Sequence, residues 1–220
     1  MKKFIFVIIS VLVCISNVFL LTACTKTSFL LPYVSELRSD VFEGKTNSYT
    51  LRAYYGYKES PYKNDGKVGE LSSKLTFVLK EVENEEISFS LEIPFASETI
   101  RFEKSPNGNL TATLNVDNFK EKEFIVWLSY SSQKIQVTMQ SILPSNTLDI
   151  NKVLHSLEQN QTSLINSYFN DSTFNAEIYA RIIVKNEKPY WYLAFANGKS
   201  LKAFLADGIS GEVLAIREVI

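Results

Sequence analysis

From Tyr33 to about Leu143 apolar and polar residues alternate with a period of two. Tyr49, Leu51, Ala53 and Tyr55 are interleaved with Thr50, Arg52 and Tyr54. Leu75, Phe77 and Leu79 alternate with Thr76, Val78 and Lys80, and Ile87, Phe89, Leu91 and Ile93 with Ser88, Ser90 and Glu92. Leu110, Ala112, Leu114 and Val116 form a further run, followed by Phe124 to Tyr130 and Ile135 to Met139. Strands that bury one face and wet the other read this way, and antiparallel sheets are built from them. Pro106-Asn107-Gly108, the acidic stretch Val82-Glu83-Asn84-Glu85-Glu86 and Ser131-Ser132-Gln133 separate the runs as hairpin turns. Seven or eight strands at this spacing predict an antiparallel β-sandwich over 33–143, Ig-like in architecture, rather than a closed barrel.

At Pro144 the period changes. Ile150, Val153, Leu154, Leu157, Leu164, Ile165 and Tyr168 make one apolar stripe at helical spacing, which predicts a helix from 149 to about 168. Thr147 or Asp149 can cap its start. The two-residue period then returns in Ile178 to Val184, Tyr190 to Phe195, Leu201 to Leu205 and Val213 to Arg217, with polar turns between. A helix lying on such a meander satisfies both apolar faces, so 144–220 reads as a separate α+β unit and the whole chain as mainly β with α+β.

Ahead of these patterns stands an uncharged run, Phe4 to Ala23, behind Met1-Lys2-Lys3. This is the layout of a secretory leader, and it is also long enough for an uncleaved helical anchor. Its end, Leu21-Thr22-Ala23-Cys24, resembles the lipobox of bacterial lipoproteins. The resemblance implies cleavage between Ala23 and Cys24, a diacylglyceryl thioether on Cys24 and retention on the outer face of the cell membrane. Residues 24–32 would then be a tether ending at Pro32. Two acyl chains anchor stably where one does not, at about 0.8 kcal/mol per buried methylene. Cys14 lies within the leader, so the mature chain has no thiol left for a disulfide, a thiolate metal site or a nucleophile.

Composition narrows the picture further. Without the leader, 21 basic residues face 24 acidic ones, which offers no concentrated basic face for nucleic acid. Only 8 glycines occur in the chain, none in a phosphate-cradling motif, and no cofactor is called for.

Tyr190-Trp191-Tyr192-Leu193-Ala194-Phe195, Lys202 to Asp207, and Ser210-Gly211-Glu212-Val213-Leu214 together resemble the hairpin of a PepSY domain, with Ser210 where that family usually has Thr. The resemblance covers roughly 147–218 and implies protein binding or peptidase regulation. It brings no catalytic residues.

The residues themselves supply little catalytic chemistry. His155, the only histidine, is placed by helical spacing opposite the apolar stripe, beside Asn151 and Gln159, as a solvent-exposed side chain. No nucleophile elbow occurs, because Gly208-Ile209-Ser210-Gly211 has the spacing of a turn. Glu81, Glu83, Glu85 and Glu86 could present oxygens to a hard cation, but they read as a solvated hairpin tip and no metal site is expected. The binding candidates are aromatic. Tyr54, Tyr57 and Tyr62 lie in a segment broken by Gly56 and Pro61, either as core and edge packing or as an exposed stacking surface. Tyr190 and Tyr192 alternate with Trp191 and Phe195, so one of these faces lies under the helix. The other, with Arg181 and Lys202 nearby by alternation, would be an open sheet surface. The reading is a lipid-anchored, extracytoplasmic, non-catalytic module that binds a protein or peptide. The competing classes are a cell-envelope hydrolase using carboxylates or a Ser–Lys pair, and a transporter-associated binding lipoprotein.

Overall fold

A computed structural model describes residues 27–61, 67–80, 88–106, 108–198 and 200–219. After one 3-10 turn at Leu31–Tyr33 come β1 (Val34–Lys45), β2 (Thr50–Glu59), β3 (Leu71–Lys80), β4 (Phe89–Ile93), β5 (Glu98–Arg101), β6 (Glu103–Lys104), β7 (Leu110–Asn115), β8 (Glu123–Tyr130) and β9 (Gln133–Ser141). Helices α1 (Ile150–Asn160) and α2 (Thr162–Asn166) follow, then a small hairpin of β10 (Phe169–Asn170) and β11 (Thr173–Phe174). The chain ends in β12 (Glu177–Lys185), β13 (Lys188–Ala196), β14 (Leu201–Asp207) and β15 (Val213–Val219). The protein is mainly β, with a large, mostly antiparallel sheet and two helices. Among the described residues no helix is long and apolar enough to cross a membrane.

Alternation places the side chains of the first nine strands. In β4, Phe89, Leu91 and Ile93 are buried while Ser90 and Glu92 are partly exposed. These residues meet Phe77, Ala112, Val126, Leu128, Val137 and Met139 in one core. Each such aliphatic or aromatic side chain contributes about 1.5–3 kcal/mol by leaving water. The two layers of a sandwich are expected to be separate sheets, but here they are bonded to each other at both margins. At one, β1 pairs with β9 through Phe42–Ser141 and Glu43–Gln140. At the other, the run 98–104 pairs with β4 through β5 and with β7 through β6. The pairing therefore comes full circle around the core. Period two reports which face is buried and carries no information on whether the margins meet, so this closure was not readable.

Strand β1 also reaches into the C-terminal half. Its first residues pair in parallel with β12, Val34 opposite Ile178 and Arg38 opposite Arg181. Val34 and Leu37 join the core beneath α1, whereas Phe42 joins the core of the first nine strands. The sheet thus runs β15–β14–β13–β12–β1–β2 without interruption. The register between β1 and β2 shifts between Arg38 and Asp40. There Gly56 lies so close to β1 that an added Cβ would stand 1.8 Å from the Leu37 carbonyl oxygen.

Asp149 starts α1, its Oδ1 accepting from Lys152 N at 3.0 Å. Ile150, Val153, Leu154 and Leu157 face Ile178, Ala180, Ile182, Trp191, Leu193 and Phe195. The helix stops short of 168. Gln161 adopts φ −127° and ψ 32°, and Thr162 Oγ1 donates to the freed Glu158 carbonyl at 2.8 Å. The β10–β11 hairpin then turns Phe174 and Tyr168 into the core. The last turn is latched to this layer. Ser156 Oγ donates to Gly211 O at 3.0 Å, Gly208 O accepts from Leu148 N at 2.7 Å, and Trp191 Nε1 donates to Leu148 O at 2.9 Å.

The expected tether is partly packed. Ser28 and Leu30 are buried. Ser28 N donates to Asn151 Oδ1 at 2.7 Å, Ser28 Oγ donates to Glu158 Oε1, and Leu30 N donates to the same oxygen at 3.2 Å. His155 shares this flank of α1 and is only partly exposed, with Nδ1 3.2 Å from Glu158 Oε2 and Nε2 3.1 Å from Gln159 Nε2. The expected solvent-exposed histidine is thus only partly exposed, its ring lying against Glu158 and Gln159 of its own helix.

Candidate functional site

The face of β12–β15 turned away from α1 is buried where Tyr179 packs with Ala194, Ala196 and Ala203, and is open only from the row through Tyr192 and Arg181 outward. Alternation puts Trp191, Leu193 and Phe195 beneath the helix, and Tyr190 and Tyr192 on the other side. Register then aligns one row across the strands. Leu205 is opposite Tyr192, Tyr192 opposite Arg181, Arg181 opposite Arg38, Arg38 opposite Gly56, and Gly56 opposite Lys74. Three cations thus stand within four neighbouring strands, beside a tyrosine.

Beneath the row lies a buried acid. Arg181 Nε is 2.9 Å from Glu36 Oε1 and Nη2 is 3.0 Å from Oε2. Arg38 Nε is 3.0 Å from Oε1, and Lys58 Nζ is 3.8 Å from Oε2. Burial pushes the Glu36 carboxyl up, but the hydrogen bond and charge of Arg181, with the charges of Arg38 and Lys58, outweigh it and hold the group below its ordinary value. Two guanidinium groups and Lys58 converge on this one carboxylate, and Arg38 and Arg181 remain about 40 % exposed. Planar guanidinium groups held in place this way are ready to receive carboxylate or phosphate oxygens.

Tyr54 brings the aromatic segment to the same place. The Arg38 guanidinium lies 5.7 Å from the centre of its ring, a cation–π contact. Arg38, Tyr54, Arg181, Ile182, Ile183 and Tyr192 line a depression of about 330 Å³. A second, of about 190 Å³, continues from Tyr192 past Leu201, Ala203 and Leu205 to Arg217. A third, smaller one extends from Arg38 and Tyr54 to Lys58, Lys74 and Thr76. The three hollows adjoin at Tyr192 and at Arg38 and Tyr54, and this shallow groove of neighbouring hollows is cationic in the middle and lined mainly by apolar side chains, with Arg217, toward β15.

Of the sequence candidates, Tyr54 and Tyr192 meet here, and Tyr190 lies on the same face opposite Ile183. Tyr57 instead packs against the core, opposite Leu37, and burial pushes its phenol up. Tyr62, Cys24 and Ala23 lie outside the described residues, as do Glu81, Glu83, Glu85 and Glu86. Lys202 is not on the open face. It pairs with Phe195, a core residue beneath the helix, and binds Glu218 at 3.2 Å. The register set by the turn after β13 decides this, and alternation alone does not supply that register. Glu36, Arg38, Lys58 and Lys74 were missed. The one signal was that Glu36 and Arg38 sit two apart in a strand and so share a face.

A larger cleft of about 860 Å³ opens between the loop after β9 and the bulged part of β1, lined by Asp40, Lys122, Glu123, Gln140, Asp149 and Trp191 among others. Its carboxylates are engaged. Asp40 holds Lys122 at 3.0 Å, Glu123 accepts from Gln140 at 2.9 Å, and Asp149 caps α1. Among the described residues no group of three His, Cys, Asp or Glu side chains is placed to hold a metal ion. No known protein family matches the chain, and no curated protein or solved structure is significantly similar to it.

Proposed function

We propose that the protein is a lipoprotein anchored through Cys24 on the outer face of the cell membrane, and that it works without catalysis by binding an extended, acidic segment of a protein or peptide. The observation that carries this reading is the row Tyr192–Arg181–Arg38–Gly56–Lys74 on an open sheet face, flanked by Tyr54. Guanidinium groups pre-set by a buried carboxylate supply bidentate contacts to carboxylates, and the tyrosines supply stacking area at low entropic cost. The apolar end toward β15 suits the aliphatic residues of such a segment. The PepSY-like reading of 144–220 belongs to the same proposal. It is supported by α1 lying across antiparallel strands and by the Ser210-Gly211-Glu212 turn latched to that helix. The test is cross-linked capture from the native envelope, comparing wild type with Tyr54→Ala/Tyr192→Ala and with Lys202→Ala. A partner lost with the first and kept with the second supports the groove. A partner that survives Tyr54→Ala/Tyr192→Ala removes it.

A further inference from the structure

The docked N-terminal segment fixes more than its own position. Cys24 precedes Ser28 by four residues, and Ser28 is bound to the flank of α1 through Asn151 and Glu158. An extended chain spans at most about 3.6 Å per residue, so the Cys24 Cα lies within about 14 Å of Ser28. A lipidated Cys24 enters the bilayer at headgroup level. The leash is therefore too short to let the body turn freely above the membrane, and the flank of α1 that holds Ser28 must stand close to it.

That flank carries an apolar feature with no cover. Phe29 is 47 % exposed although its neighbours Ser28 and Leu30 are buried. Its ring lies 5.9 Å from Phe169, whose ring in turn lies 5.3 Å from the core residue Phe174. Aromatic rings at a membrane-proximal position favour the headgroup region, and apolar contact there adds to the hold of the acyl chains. Glu158 on this flank is turned inward to Ser28 and Leu30 and is only 11 % exposed, which leaves Asp171, in the β10–β11 turn, as the exposed acid beside the aromatic pair. The groove lies on the opposite face of the sheet from α1.

We infer, resting on the lipid-anchor reading, that the Phe29–Phe169 pair at the foot of α1 sits on the bilayer surface and that the Tyr54–Tyr192 groove faces away from it. The anchor then serves as an orienting leg, and the binding face is presented to the extracytoplasmic space.

The experiment uses full-length protein matured in a lipoprotein-processing host and incorporated in vesicles of phosphatidylcholine and phosphatidylglycerol. Single cysteines are introduced by Asn170→Cys beside the aromatic pair and by Ile183→Cys in the groove, and labelled with bimane. Spin-labelled lipid should quench the label at 170 at least threefold more than the label at 183. Phe29→Ser should at least halve that difference. Equal quenching at the two sites, in protein whose Cys24 is acylated by mass, overturns the orientation and leaves the anchor standing. A free Cys24 thiol by mass overturns the anchor reading and this one with it.

Discussion

Arg181 grips Glu36 with two parallel hydrogen bonds, Nε to Oε1 at 2.9 Å and Nη2 to Oε2 at 3.0 Å, across the parallel seam between β12 and β1. The pair joins the first strand of the fold to one that begins more than a hundred residues later, and it sets the guanidinium plane that the groove presents.

Replacing Glu36 with Gln should lower stability by about 1–3 kcal/mol. The carboxylate is buried, but Arg38, Lys58 and Arg181 are each about 40 % exposed and can turn to water, so the loss stays below that of a wholly buried pair. The acid side carries a second expectation. The folded Glu36 carboxyl titrates below its ordinary value near 4.5. Its contribution is complete above that value and is lost as pH falls through the folded pKa. Urea midpoints at neutral pH and below pH 4 should show the difference between wild type and Glu36→Gln shrinking with acid. A constant difference would refute the ion-pair account.

Gly56→Ala should destabilise by about 3 kcal/mol or more, because its methyl would meet the Leu37 carbonyl carbon and oxygen rather than a yielding side chain. Gly108→Ala is the comparison. Its φ of 85° makes alanine unfavourable, yet nothing lies near the added methyl, so about 1 kcal/mol is expected. Denaturant midpoints of the two variants decide it.

Trp191→Phe should cost about 1–3 kcal/mol, because the indole is almost fully buried and the Leu148 carbonyl loses its side-chain donor. Trp127 is partly exposed and has Lys134 over its ring, so the blue part of the tryptophan emission should vanish with this variant. A spectrum left unchanged would contradict the burial of Trp191.

Glu158→Ala should free the N-terminal segment. Ser28 and Leu30 each lose a charged acceptor, and limited proteolysis should then cut between residues 27 and 33 well before the strands are attacked. Resistance equal to wild type would show that the Asn151 hydrogen bond and the burial of Leu30 hold the segment without Glu158.

Much of this arrangement was legible in the sequence, and the rest fails for identifiable reasons. Period two correctly set Trp191 and Phe195 against Tyr190 and Tyr192, because a strand's faces follow from counting. Counting does not carry across a turn of unknown register, and so Lys202 was placed on the open face when it belongs beneath the helix. The helix continued in the apolar stripe past Gln161, but the backbone there leaves helical angles and a threonine takes the freed carbonyl. The parallel seam of β1 and β12 left no local trace at all. Neither did the docking of Ser28, which depends on Asn151 and Glu158 meeting a segment more than a hundred residues earlier in the chain.

The double service of β1 bears on how the molecule comes to its final form. Residues 34–38 are synthesised early, yet their parallel neighbour, 178–181, follows more than a hundred residues later. Contacts so distant in sequence delay assembly, and until they form the early strand offers a bare edge to any passing chain. The rate of chain synthesis and chaperone cover during that interval, rather than final stability, should govern the yield of correctly assembled protein.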